Sequence, residues 1–199
     1  KSLPPGAAGN AQLTLAQAAY DKGEWKDAVR LAQAAYAGQG DAALRESALY
    51  VTASAQSRLG DSAAAAATFR RQLALAPKGK LAQPARLGLT WALLDAKSWN
   101  DAQAAARQLL AQPQSAGEDT SLRVRAQLAL GEALLQGGHP AAALKEFGAT
   151  SRVSDKTLAA QGAYGVALAQ EAAGQRGLAA QAWQQYAELT PDASASIST

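Results

Sequence analysis

The eighteen residues Leu130-Gly131-Glu132-Ala133-Leu134-Leu135-Gln136-Gly137-Gly138-His139-Pro140-Ala141-Ala142-Ala143-Leu144-Lys145-Glu146-Phe147 decide the fold. They hold two helix-forming runs separated by Gly-Gly-His-Pro. A glycine just past a helix end supplies the left-handed backbone that closes it, so Gly138 predicts a C-terminal stop. Proline is tolerated in the first helical turn, so Pro140 predicts a new helix beginning at once. Ala143 has no bulk and lets that second helix approach the first closely. Phe147 lies four residues on, on the same helical face, and reads as a wedge between helices. The stretch is therefore a helix, a tight turn and a second helix.

The same phrase recurs elsewhere. Gly23-Glu-Trp-Lys-Asp-Ala28, Gly60-Asp-Ser-Ala-Ala-Ala65, Lys97-Ser-Trp-Asn-Asp-Ala102 and Gly174-Gln-Arg-Gly-Leu-Ala179 complete a set of five. The closing alanines at 28, 65, 102, 143 and 179 are spaced by 37, 37, 41 and 36 residues. The longest interval contains the loop Gln112–Gly117, which supplies the extra length. Asp61 and Ser98 are residue types that cap helix N-termini. Trp25 and Trp99 stand near the start of second helices. Phe69 and Trp183 repeat the wedge position of Phe147. Pro77 and Pro191 each fall twelve residues after their alanine, where they stop the second helix. The spacing predicts first helices over 11–22, 41–59, 81–96, 119–137 and 155–173. It predicts second helices over 25–37, 62–75, 99–111, 140–150 and 176–189.

Composition agrees. Alanine, leucine and glutamine dominate, all good helix formers, and Ile197 is the one isoleucine among 199 residues. Aromatics are 6 % of the chain, so the core must be built from close alanine contacts rather than large side chains. That suits thin stacked helix pairs.

These phrases resemble the tetratricopeptide repeat (TPR) family. Residues 130–147 carry its Leu-Gly pair, inter-helix glycine, packing alanine and following aromatic. Gly60–Pro77 and Gly174–Pro191 carry the second half as well. The first repeat departs, with Ala32 at the aromatic and Gly40 at the proline. The third departs with Lys97 for the glycine and Ala106 for the aromatic. The resemblance implies an all-α fold, a right-handed α-solenoid of about five repeats. They would span residues 11–40, 41–77, 81–113, 119–150 and 155–191, between a flexible segment 1–10 and a tail 192–199. The family period is about 34 residues, so these first helices are long. By analogy that favours bacterial cell-envelope members.

Little else points to chemistry. There is no cysteine, and His139 is the only histidine, in a turn where solvent exposure suffices. A site with two imidazole ligands is excluded within one chain. No phosphate-binding Gly-x-x-x-x-Gly-Lys-Ser/Thr loop and no Gly-x-Ser-x-Gly elbow occur. No cofactor is expected. Carboxylates such as Asp21, Glu24, Asp95, Asp101, Glu118, Asp119, Glu132 and Glu146 scatter near turns without an acid–base spacing. The net charge of +3 is dispersed, and the densest basic spots, Arg70-Arg71 and Arg123-Val-Arg125, hold two charges each. Nucleic acid is not indicated. No apolar run reaches the ~18 residues of a spanning helix. Residue 1 is lysine and methionine is absent, which favours an exported, periplasmic chain over an excised cytoplasmic domain.

The resemblance places first helices along a concave wall. Counting back from each turn puts Tyr20 there, with Leu13, Gln17 and Asp21. The second repeat offers Ser47, Tyr50, Ser54 and Arg58. The third offers Leu87, Trp91, Leu94 and Asp95. The fourth offers Arg125, Leu128, Glu132 and Leu135. The fifth offers Gln161, Tyr164, Leu168 and Glu171. Aromatic and arginine side chains dominate binding hot spots, so this wall is the expected site for a partner peptide or helix. Family members that grip an acidic C-terminus use Lys, Asn and Arg in the groove. Here those places hold mainly Leu, Tyr, Ser and Trp, and such a clamp is not evident. The expected function is a non-enzymatic scaffold or adaptor in an envelope assembly: outer-membrane biogenesis, cell-wall coordination, secretion or polysaccharide export. One alternative is a self-association module, a homo-oligomer joined through end repeats around Val166, Leu178 and Trp183. A hydrolase using groove carboxylates is the remaining one.

Overall fold

The computed structural model describes residues 7–38, 40–113 and 120–190. Among them are ten α-helices and no strand: α1 Ala7–Asp21, α2 Trp25–Ala37, α3 Ala42–Arg58, α4 Ser62–Leu75, α5 Ala82–Asp95, α6 Trp99–Leu110, α7 Thr120–Gln136, α8 Pro140–Thr150, α9 Lys156–Ala172 and α10 Arg176–Leu189. The chain divides into two compact units, Lys1–Ser98 and Trp99–Thr199. In the first, α1 to α5 pack each on the next, and first helices also meet directly, α1 with α3 and α3 with α5. In the second, α6 to α10 do the same, and α7 meets α9. The first helix begins at Ala7, four residues before the expected start. Residues 1–6, the loop residues Gln114–Gly117, Glu118, Asp119 and Pro191–Thr199 lie outside the described residues.

Five turns share one hydrogen-bond pattern. The residue after each turn residue donates its N–H back to a carbonyl five residues earlier: Glu24 to Ala19 at 2.9 Å, Asp61 to Gln56 at 3.0 Å, Ser98 to Leu93 at 2.9 Å, His139 to Leu134 at 2.8 Å and Gln175 to Gln170 at 2.9 Å. This closure requires a left-handed residue. Gly23, Gly60, Gly138 and Gly174 supply it at φ of 73° to 81°, and Lys97 supplies it at 58°. A side chain is strained in that conformation, by about 1 kcal/mol relative to glycine. Lys97→Gly is therefore expected to stabilise the protein by roughly 0.5–1 kcal/mol, raising the denaturation midpoint. A lowered midpoint in a urea titration would show that the Lys97 side chain contributes more than its backbone costs.

These tight turns also correct a cap assignment. Asp61 makes no side-chain cap bond; its ψ is 57°. A capping residue needs extended backbone to aim its oxygen at the helix N–H groups, and the turn closure forbids it. The side-chain caps belong instead to Asp41 and Asp155, where longer connections leave ψ at 178° and 110°. Their carboxylates accept from Leu44 N–H at 2.8 Å and Leu158 N–H at 3.0 Å. Pro140 does occupy the first turn of α8, and α4 ends at Leu75, two residues before Pro77.

The packing between repeats is a matter of size. Phe69 of α4 is buried against Gly88 of α5, where a Cβ would overlap the ring. Phe147 of α8 is buried between Gly131 of α7 and Gly165 of α9, and a Cβ at either would collide with it. Where the wedge position holds Ala32 instead, Val51 joins it in the core. Each large residue thus faces a small one. Trp183 departs from the expectation of a buried wedge and is only half-buried. No helix follows α10 among the described residues to cover it.

Two features tie connections to the helices. The guanidinium of Arg123 donates to Gln112 O at 2.9 Å and Leu110 O at 2.6 Å, closing the free carbonyl end of α6. That gives Arg123 a structural task, as does the stacking of Arg71 over the Tyr36 ring at 4.3 Å. In the first unit, the buried Glu46 carboxylate accepts from Leu81 N–H at 2.9 Å and lies against Gly79. It anchors the start of α5 to α3.

Candidate partner-binding groove

In the first unit, α1 and α3 pack side by side and leave a depression between them. Its volume is about 630 Å³, the size of a small-ligand or peptide side-chain site. Leu13, Val51 and Leu81 make apolar walls, and Tyr50 stands beside them. Thr14, Gln17, Asp21 and Ser47 supply polar groups. Gln17 Nε2 donates to Asp21 Oδ1 at 2.9 Å, so these two side chains hold each other at the rim. A smaller depression of about 120 Å³ continues from it, lined by Gln17, Tyr20, Tyr50, Val51 and Ser54. Tyr50 belongs to both.

Local packing fixes the two tyrosines. Tyr50 is set edge-on to the buried Phe69, ring centroids 6.1 Å apart. Burial lifts its hydroxyl above the ordinary phenol range; the nearby Tyr20 adds to this and a hydrogen bond with Ser54 opposes it. The group is neutral at physiological pH. Tyr20 packs edge-on against Trp25, with centroids 4.9 Å apart. Arg58 lies over the same Trp25 ring at 5.9 Å and its Nε donates to Tyr20 Oη at 3.5 Å. The bond to Tyr20 raises the pKa of the guanidinium, so it stays a cation. Arg58 thus stands next to the smaller depression through Tyr20, while Asp21 lines the larger one.

Tyr20, Tyr50 and Ser54 thus come together, with Arg58 attached through Tyr20. Leu87, Trp91 and Asp95 lie on α5, outside the walls of these depressions. Trp91 is nonetheless 38 % exposed, high for tryptophan in a helix. In the second unit Arg125 is exposed and Glu132 accepts from Gln136 Nε2 at 2.8 Å. Leu128 corrects the expectation: it is 5 % exposed and belongs to the core with Leu130, Phe147 and Leu158. Leu94 is buried too. An equal count from the turn had put Leu128 in the groove, but it is drawn into the core formed with residues of α6, α8 and α9, among them Ala106, Phe147 and Leu158.

Tyr164 is 44 % exposed but not isolated. It meets Trp183 edge-on at 5.3 Å and Tyr186 at 5.5 Å. Trp183 Nε1 donates to Glu171 Oε1 at 2.8 Å. Sequence reasoning had not singled out Tyr186; its spacing of three from Trp183 on α10 was the available signal. It had also passed over Trp25 as the support for Arg58, and Leu81, whose backbone N–H donates to the Glu46 carboxylate.

Among the described residues no helix is long and apolar enough to cross a membrane, and no group of three or more His, Cys, Asp or Glu could hold a metal.

No protein-family model matches the sequence, and no curated protein does. Solved structures do match in shape. MamA 41-end from Desulfovibrio magneticus RS-1 superposes with a TM-score of 0.78 at 18 % identity, covering 95 % of this chain and 98 % of that one. A Podosopora anserina putative kinesin light chain with nearly identical TPR-like repeats gives 0.76 at 17 % identity, covering 96 % and 99 %. BtubC from P. vanneervenii gives 0.77 at 15 % identity, covering 95 % and 82 %. At such identity the likeness concerns the fold. The protein has the all-α, TPR-like solenoid fold that its repeated phrase predicts.

Proposed function

We propose that this protein is a non-enzymatic interaction scaffold that holds a peptide or helix of a partner protein in the groove between α1 and α3. The observation that carries this reading is the combination of an apolar wall, Leu13, Val51 and Leu81, with the half-buried Tyr50 and a polar rim. Such a site takes an apolar anchor side chain and offers hydrogen bonds to the segment that carries it. Arg58 at one end favours a segment with an acidic residue beyond its anchor.

The test is a displayed peptide library panned against the immobilised protein, followed by titration of the selected peptides. Ser47→Arg places a long charged side chain in the depression and is expected to weaken binding at least tenfold, about 1.4 kcal/mol. Tyr50→Ala is expected to cost about 2 kcal/mol if the ring is a hot spot. Ala67→Arg, on an exposed position of α4, is expected to leave affinity unchanged. Equal binding by Ser47→Arg and the parent protein would sink the groove assignment.

The setting we propose is an assembly in a bacterial cell envelope. The long first helices support it by analogy: α3, α7 and α9 each span 17 residues. Fractionation of cells producing the native protein tests it, with recovery in the periplasmic or envelope fraction as the expected result.

A further inference from the structure

Two residues before the turn residues Gly23, Gly60 and Lys97 stand Asp21, Arg58 and Asp95. They are 37 residues apart, the spacing of the repeat alanines, so they hold one equivalent position on α1, α3 and α5. Within the first unit α1 meets α3 and α3 meets α5. The three residues therefore form a row across the ends of the first helices, with charges negative, positive and negative. All three are exposed. Among the described residues none of them makes an ion pair. In the second unit the same position holds the uncharged Gln136 and Ala172.

The two carboxylates stand against the local electrostatics. Asp21 and Asp95 are the last residues of α1 and α5, at the negative end of each helix dipole, where a cation is favoured and a carboxylate is not. No basic residue occupies the last turn of either helix to offset them. Asp21 accepts from the neutral amide of Gln17 at 2.9 Å. Asp95 has the exposed Trp91 one turn before it on the same helical face. An exposed indole next to a carboxylate suits a cation. Arg58 has the favourable sign for the end of α3 and is held by Tyr20 and the Trp25 ring, with further guanidinium donors left for an acceptor. The row is complemented by charges positive, negative and positive.

The spacing selects the form of the partner. Helices in direct contact lie about 8–10 Å apart. An extended segment places side chains of one face at about 6.6 or 13 Å, which misses that interval on both sides. A helix places residues seven apart on one face at about 10.5 Å. We infer that the partner is an amphipathic helix lying across α1, α3 and α5, with a basic, an acidic and a basic residue at successive seven-residue spacings opposite Asp21, Arg58 and Asp95. This rests on the groove reading and narrows it from a peptide or helix to a helix of stated register. Asp21 also lines the larger depression, so the apolar anchor that enters there stands beside the first basic residue. Exposed charges govern the choice of partner and its rate of association more than raw affinity, so discrimination is the quantity to measure.

The probe is a fluorescent, stapled, alanine-based helical peptide with lysine, glutamate and lysine seven residues apart and a leucine anchor beside the first lysine. It is titrated with the whole protein by fluorescence anisotropy at low salt. It should bind about tenfold more tightly than the same peptide carrying glutamate, lysine and glutamate, and the advantage should shrink as salt is raised. The triple variant Asp21→Lys, Arg58→Glu, Asp95→Lys should invert the preference. Moving the central glutamate two residues along the peptide turns it off the face and should remove most of the advantage. Equal binding by the two peptides, an unchanged preference in the triple variant, or no saturable binding up to millimolar peptide overturns the inference. Ser47→Arg keeps its failure distinct from that of the groove. If peptides selected from a library lose affinity for Ser47→Arg but not for the triple variant, the groove stands and the charged register falls. If the charge preference persists in Ser47→Arg at undiminished affinity, the row is upheld and the depression is not the anchor site.

Discussion

Phe147→Ala is expected to destabilise the second unit by about 3–5 kcal/mol, the usual cost of deleting a buried phenylalanine. The ring is 3 % exposed and sits between the backbones of α7 and α9, with Gly131 and Gly165 against its two sides. Its removal leaves a void that two helices must collapse to fill. They cannot do so freely, because Gly162 of α9 already abuts the backbone and side chain of Thr150. With a midpoint shift of about 2–4 °C per kcal/mol in a chain of this size, thermal unfolding should move by roughly 10 °C. A shift below about 2 °C would mean that the wedge is not what holds the repeats together.

Gly165→Val is the complementary change. A Cβ there overlaps the Phe147 ring, and valine adds two methyl groups beyond it. Forcing bulk into a packed core costs about 1–3 kcal/mol and occasionally more, and the upper end applies because backbone rather than a flexible chain must move. The two substitutions should not add. With alanine at 147, valine at 165 refills the space as Val51 does opposite Ala32. The double variant Phe147→Ala, Gly165→Val is expected to recover about 1–2 kcal/mol relative to the sum, within the range for residues in contact. Strict additivity in urea titrations of the four proteins would refute the size-pairing account. Trp183 on α10 is half-buried and has no such small partner among the described residues.

The candidate groove was legible only in part. Tyr20, Tyr50, Ser54 and Arg58 were reached by counting back from the turns, because a helix places residues by simple rotation. The count failed at Leu128, since it assumes that each first helix presents the same free face. That face depends on the neighbours each first helix meets, and Leu128 joins a core cluster with Ala106, Phe147 and Leu158 of neighbouring helices. Trp183 failed in the opposite sense: its spacing matches Phe69 and Phe147, but burial requires a following helix.

The residues alone determined the helix pairs and their turns. These are local: a glycine or its substitute closes one helix within five residues, and a first-turn residue opens the next. Lys97 could be placed as the odd turn residue on that basis, although its φ of 58° was not written in it. Tertiary structure decided what long-range neighbours control. It made Arg123 the clamp on α6, gave Glu46 the anchoring of Leu81, buried Leu128 and left Trp183 open. Burial and partnership belong to pairs of surfaces, and a repeated phrase specifies only one surface of each pair at a time.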